Sequence, residues 1–153
     1  MFLVVVAKSV VLINTQENRP LKDGTRKTYT KGKAMRNFKV LIDDFRDDND
    51  EHQLPRMDLI IRNNKAYELV KPILKNLDFV LYADHDLGID FNTCEYERNG
   101  YKILMDMIEA GIYPVAVYVI TANPVGRHNI ELALHHEGYR MDNETVRWTR
   151  VNP

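Results

Sequence analysis

Three clusters of acidic or hydroxyl-bearing residues each follow an apolar run. Asp43-Asp44 follows Phe38-Lys39-Val40-Leu41-Ile42, and Asp84-His85-Asp86 follows Phe79-Val80-Leu81-Tyr82-Ala83. Thr121-Ala122-Asn123 follows Val115-Ala116-Val117-Tyr118-Val119-Ile120. The middle run, opened by Asp78 and closed by Gly88, reads as a strand covered on both faces. Open α/β sheets keep their ligand crevice at the carboxyl ends of such strands. If the three strands run parallel, all three clusters share one rim. Carboxylates crowded there raise each other's pKa unless a cation neutralises them. An oxygen-rich set such as Asp43, Asp44 and Asp84 suits Mg²⁺ or Mn²⁺ better than zinc. Opposite the acids, Asn123-Pro124-Val125-Gly126-Arg127-His128-Asn129 is a turn that opens a helix. Backbone amides, the helix dipole and the Arg127 fork make that turn an anion site. A metal cluster facing an anion cradle is what phosphoryl chemistry requires.

Each residue also has a structural reading. Acids after a buried strand are common turn formers. His85, wedged between two aspartates, serves equally as a general acid or base and as a structural hydrogen bonder. His128 and His135 are spaced more widely than metal-binding pairs favour, and His135-His136 reads as a solvated helix end.

The elements that must position these groups follow from periodicity. Residues 2–7 and 10–14 are strand-like, and they read as one bent strand rather than a tight hairpin. Thr15 to Ala34 is polar and basic, with turn signals at Arg19-Pro20 and Asp23-Gly24. Residues 38–42 form the first core strand, residues 45–56 an Asp-rich loop, and residues 58–62 a short strand. Asn63 or Asn64 caps a helix whose apolar stripe is Ala66, Leu69, Val70, Ile73, Leu74 and Leu77, with a kink or break expected at Pro72. The strand at 79–83 leads through a polar loop to a helix carrying Tyr101, Leu104, Met107 and Ile108, which stops at Gly111. The strand at 115–120 is followed by a helix with Ile130, Ala133 and Leu134 that ends at Gly138. Residues 145–150 alternate apolar and charged, as an edge strand with one wet face does. The sum is an α/β fold with a mainly parallel sheet and helices on both faces. Residues 1–34 form a basic N-terminal extension and 35–153 the domain proper.

The chain has 153 residues, enough for one full hydrophobic core. Its single cysteine, Cys94, excludes an intramolecular disulfide and a thiolate zinc cage, and reads as a bystander thiol in a reducing, cytoplasmic setting. No stretch approaches the ~20 apolar residues of a membrane span, so no membrane partner is expected. The net charge of −1 hides an asymmetry. Residues 1–39 hold nine Lys/Arg against Glu17 and Asp23, a balance of +7, and the remainder stands at −8. Basic residues between 19 and 39 could steer RNA or another phosphate-bearing ligand toward the acidic body, or could form a merely solvated arm.

Val40-Leu41-Ile42-Asp43-Asp44, Leu81-Tyr82-Ala83-Asp84 and Val117-Tyr118-Val119-Ile120-Thr121-Ala122 resemble the signature strands of response-regulator receiver domains. That resemblance implies metal-binding acids at Asp43 and Asp44, a phosphoacceptor position at Asp84 and a phosphoryl-sensing hydroxyl at Thr121. Receivers also have a helix between their first two strands and a Lys at the end of the fifth. Here an Asp-rich loop fills the first interval, and no Lys follows Lys102. The chain is more similar to the cyclic-phosphate-processing receiver domains, through Asp43-Asp44-Phe45-Arg46, Asp84-His85-Asp86-Leu87-Gly88, Asn99-Gly100-Tyr101 and the run at 123–129. The resemblance covers roughly residues 37–139 and implies a flavodoxin-like fold that handles cyclic phosphates on nucleotides or RNA ends. On that reading Asp43, Asp44 and Asp84 hold a metal, with Asp86 assisting. Arg46, Thr121, Asn123, Gly126, Arg127, His128 and Asn129 bind phosphoryl oxygens, and His85 moves a proton. The competing expectation is a non-catalytic receiver-like module that binds a nucleotide or a protein.

Overall fold

A computed structural model describes residues 2–6, 9–13, 37–46, 54–90, 95–96 and 99–151. Cys94 and most of the basic arm lie outside the described residues.

The centre is a six-stranded sheet built from β3 (Phe38–Ile42), β4 (Leu59–Ile61), β5 (Phe79–Ala83), β8 (Ala116–Val119), β9 (Tyr139–Asp142) and β10 (Arg147–Arg150). Its order is β4-β3-β5-β8-β10-β9, and the first four strands are parallel. β5 lies inside the sheet and all five of its side chains are buried, as its unbroken apolar run implies. Leu41 pairs with Tyr82, which in turn pairs with Tyr118, and Ile42 pairs with Ala83, which pairs with Val119. The three core strands therefore end at one level, and Asp43, Asp84 and Thr121 emerge on one rim. β3 and β4 are joined through residues 43–58 with no helix among the described residues of that connection. Its length meets the dozen or so residues that a parallel crossover needs.

Three helices, α1 (Asn64–Leu74), α2 (Gly100–Glu109) and α3 (Pro124–His136), return the chain between strands. Asparagines cap all three: Asn63 accepts from the Ala66 amide, Asn99 from Lys102 and Asn123 from Gly126. Gly111 (φ +72°) and Gly138 (φ +81°) supply the left-handed backbone just past α2 and α3. α1 runs through Pro72 and stops two residues later. Its buried side is Ala66, Tyr67, Val70 and Leu74, whereas Leu69 and Ile73 are exposed, so the stripe is rotated from the expected one. Tyr67 makes the difference, since its ring is buried while its hydroxyl donates to Asp106 on α2 at 2.6 Å.

Alternation along the strands separates two cores. Val40, Ile42, Leu59, Ile61, Phe79, Leu81, Val117 and Val119 meet side chains from all three helices on one face. Leu41, Val80, Tyr82, Ala116 and the partly buried Ile60, Tyr118 and Ile120 form a smaller cluster on the other. The expected helices on both faces are thus, among the described residues, three helices on one face. On the second face Tyr82 and Tyr118 stack with centroids 4.8 Å apart, and the loop residues Leu54 and Met57 pack beside them.

Three local expectations are revised. β1 (Phe2–Val6) and β2 (Ser9–Ile13) form an antiparallel hairpin rather than one bent strand, with Val6 opposite Ser9 and two residues between. Such a loop is long enough when the strands twist through a tight turn. β10 is not the edge strand, because β9 lies outside it, and both pairings of β10 are antiparallel. The loop after β5 also carries a short ladder, β6 (Ile89–Asp90) against β7 (Glu95–Tyr96).

Candidate functional site

Asp43 and Asp84 are buried at the ends of β3 and β5, and Asp44 beside them is exposed. Ligand atoms of the three carboxylates lie within 4.8 Å of one another. Each acid is held by the local backbone. Asp43 Oδ1 accepts from the amides of Phe45 (2.8 Å) and Arg46 (2.6 Å), and Asp84 Oδ1 accepts from the His85 amide (2.8 Å). Asp44 has its pKa raised by partial burial and by the charges of Asp43 and Asp84, against the opposing pull of its own backbone amide and of Arg62.

Arg46 does not face the α3 turn; it lies on the acids. Its Nη1 donates to Asp43 Oδ2 at 2.7 Å and to Asp84 Oδ2 at 3.2 Å. Burial alone would lower the guanidinium pKa, but the two carboxylates outweigh it and raise it. Arg62, which sequence reasoning missed, braces this loop by donating from Nη1 to the carbonyls of Asp43 and Arg46. Its partners are main-chain oxygens, which leave no mark on residue spacing.

The second half of the site is a histidine bracket. His85 Nδ1 lies 2.9 Å from Asp86 Oδ1, and the Asn99 side-chain amide reaches Nε2 at 3.3 Å. Because Asn99 Oδ1 is already committed to the Lys102 amide, its NH₂ faces the ring. Nε2 is therefore the acceptor, and the ring proton sits on Nδ1 against Asp86. The His85 hydrogen bond, followed by that from Asn123, holds the Asp86 carboxyl below its ordinary range despite some desolvation. Asn123 Nδ2 reaches both Asp86 oxygens at 3.3–3.4 Å and ties the α3 turn to the β5 loop.

Three glycines allow this closeness. A Cβ on Gly126 would stand 2.2 Å from His85 Cγ, one on Gly100 would stand 1.8 Å from the Asp84 carbonyl oxygen, and one on Gly88 (φ +67°) would stand 2.7 Å from Asp44 Oδ2.

The α3 turn is more self-contained than expected. The Gly126 amide donates to Asn123 Oδ1, and the Arg127 amide donates to the Asn123 carbonyl. Thr121 is buried, its hydroxyl accepts from the Asn123 amide at 3.2 Å, and its carbonyl accepts from Arg127 Nη2 at 2.9 Å. Arg127 also lies 3.6 Å from Glu131. His128 and Asn129 are exposed on the first turns of α3, and His135 and His136 are exposed in its last turn. Asp43, Asp44, Asp84 and Arg46 thus form one group and His85, Asp86, Asn99 and Asn123 a second, joined through the Asp84–His85 backbone.

The donor set fits a divalent metal. It is all oxygen, two of its carboxylates are buried, and one guanidinium leaves it with net negative charge. No helix of the described residues is long and apolar enough to cross a membrane.

No curated protein and no solved structure matches the chain. The family model for the cyclic-phosphate processing receiver domain matches residues 38–136, from the start of β3 to the end of α3. That span covers both groups of site residues and most of the chain. The protein belongs to the cyclic-phosphate processing receiver domain family.

Proposed function

We propose that the protein is a metal-dependent phosphoesterase that opens cyclic phosphates on nucleotides or RNA ends. The observation that carries this reading is the clustering of Asp43, Asp44 and Asp84 within 4.8 Å beside a His85–Asp86 pair. Asp43, Asp44 and Asp84 would hold Mg²⁺ or Mn²⁺, which when bound supplies polarisation of a phosphoryl oxygen and a lowered pKa for water. In the reaction, water adds to phosphorus, one ring P–O bond breaks, and the departing ring oxygen takes up a proton. His85 Nε2, on exchanging its Asn99 contact for the attacking water, would accept that water's proton and return it to the departing oxygen, with Asp86 holding the Nδ1 proton. Asn99 fixes the ring so that Nδ1 faces Asp86. Asn123 and the α3 turn would orient the phosphate opposite the acids, with Arg46 releasing one carboxylate to meet a phosphoryl oxygen. The +7 balance of residues 1–39 supports an RNA end as the source of the ring phosphate.

A second reading, a metal-free binding module for a nucleotide, is favoured by Arg46, a cation that already bridges Asp43 and Asp84. One experiment separates the two. Hydrolysis of nucleoside 2′,3′- and 3′,5′-cyclic phosphates and of a cyclic-phosphate-ended RNA is measured with Mg²⁺ or Mn²⁺, for the native chain and for Asp84→Asn. We expect turnover to fall by about 100-fold or more, above the usual loss for even an outer-shell partner, while circular dichroism stays native. Undiminished turnover by Asp84→Asn removes Asp84 from the mechanism. Thermal protection by a nucleotide with no turnover of any substrate establishes the binding module instead.

A further inference from the structure

The rim around the carboxylates is not uniformly polar. Phe45 is 82% exposed, Val125 68% and Ile89 44%. Phe45 follows β3, Val125 lies in the first turn of α3 after β8, and Ile89 opens β6 after β5, so all three sit on segments that leave the strand ends carrying the acids. Each is one residue from a group packed into the site. Phe45 stands between Asp44 and Arg46. Ile89 follows Gly88, whose backbone presses on Asp44, and Val125 precedes Gly126, whose backbone presses on His85. A single exposed apolar side chain needs no explanation, but three on the segments that leave one charged rim do. Phe45 is also fixed at its root, because its amide donates to Asp43 Oδ1 at 2.8 Å. Its ring is held out into solvent by the same turn that positions a buried acid. A centre that binds charge, collared by apolar surface, suits a ligand with one anionic end and one flat apolar end. Inorganic phosphate and simple sugar phosphates lack the second.

We propose that this rim reads the base. Phe45 is a stacking platform for the nucleobase of a cyclic-phosphate-bearing nucleotide, with Ile89 and Val125 as the apolar wall around it. The assignment rests on the phosphoesterase reading and adds a substrate preference, namely that an alcohol bearing a base binds more tightly than one without. Stacking is tolerant of sequence because every base has a π face, so the rim favours a base without choosing strongly among them.

The test compares adenosine 2′,3′-cyclic phosphate with glycerol 1,2-cyclic phosphate, which has the ring phosphate but no base, using the full chain, Phe45→Ala and Phe45→Trp with Mg²⁺. We expect Phe45→Ala to raise KM for the nucleotide roughly 5- to 150-fold, the range that loss of one stacked base implies. KM for the glycerol ester should not rise, and Phe45→Trp should restore nucleotide affinity. Equal effects on both substrates, or none on either, overturn the platform while leaving the phosphoesterase intact. Calorimetric binding of the nucleotide in Mg²⁺ decides the matter without turnover. Weaker binding by Phe45→Ala in the absence of catalysis upholds the platform and sinks the phosphoesterase; equal binding, or none by the native chain, sinks the platform.

Discussion

His85 owes its place to atoms that are missing from Gly126. The imidazole packs where any larger residue would put a Cβ, and the same contact seats the α3 turn on the β5 loop. Gly126→Ala should therefore act through His85. Forcing a methyl group into that contact costs about 1–3 kcal/mol, read as a lowered melting temperature, and displaces the ring from Asp86 and Asn99, read as lost turnover. If the clash is the cause, His85→Ala in the same chain should recover part of the stability. A strictly additive double variant would place the damage elsewhere. The acids and His85 were visible in the sequence as residue types at strand ends, Gly88 as the close of the β5 run, and Gly100 and Gly126 at the openings of the two helices that follow. Their pairings were not: Arg46 with Asp84 and Gly88 with Asp44 join the loops of two different strands, Asn99 meets His85 across fourteen residues of one connection, and Arg46 folds back on Asp43 within its own loop. Nothing in the local order Asp43-Asp44-Phe45-Arg46 states that the arginine turns back onto the acids instead of outward.

Among the elements, the hairpin β9–β10 shows the clearest local strain. Its turn is held by Asp142, whose carboxylate accepts from the Glu144 amide (3.0 Å) and the Thr145 hydroxyl (2.7 Å). It closes through Val146 at φ +52°, a conformation a β-branched residue adopts only under strain. Val146→Gly should relieve that strain and stabilise the fold by roughly 1 kcal/mol after the added flexibility of the unfolded chain is deducted. Chemical denaturation measures it, and a destabilised variant would mean that the turn does not bear the strain. β5 and β8, with continuous apolar runs, and β3, apolar but for Lys39, were legible from the sequence, as were α2 and the end of α3. β9 was not: of Tyr139-Arg140-Met141-Asp142 only Tyr139 is buried, with its hydroxyl on the Pro114 carbonyl at 2.7 Å, so no alternation announces a strand. The rotated stripe of α1 was missed for a related reason, since Tyr67 counts as polar at its tip and as core along its ring.

For the molecule as a whole, the parallel core and the rim of strand ends follow from the order of elements. The placement of residues 147–150 inside the sheet does not. The short return from β9 reverses the strand direction, and hydropathy carries no sign of direction. The charge layout has a consequence for stability. Asp44 has a raised carboxyl pKa in the folded state, so its ionised form is a cost at neutral pH that is relieved as pH falls through that raised value. Asp86, held low, works in the opposite sense: its stabilisation is present above the ordinary carboxylate range and is lost as pH falls through the depressed value. A cation on the three acids would cancel only the first effect. The rise in melting temperature on adding Mg²⁺ should thus be largest near neutrality and shrink as pH falls toward Asp44 protonation, when melts with and without Mg²⁺ are compared across pH. A pH-independent increment would separate the cation from Asp44.

The single tryptophan, Trp148, sits on β10, buried between Val117 of β8 and Met141 of β9. It lies two strands from β5, on the antiparallel end of the sheet, and belongs to neither group of site residues. Intrinsic fluorescence is therefore a reporter of the sheet alone. It should change when the hairpin undocks or the fold melts, and stay dark to events at the carboxylate rim. Phe45→Trp would add a second emitter at that rim, so that ligand arrival and unfolding could be followed in one sample.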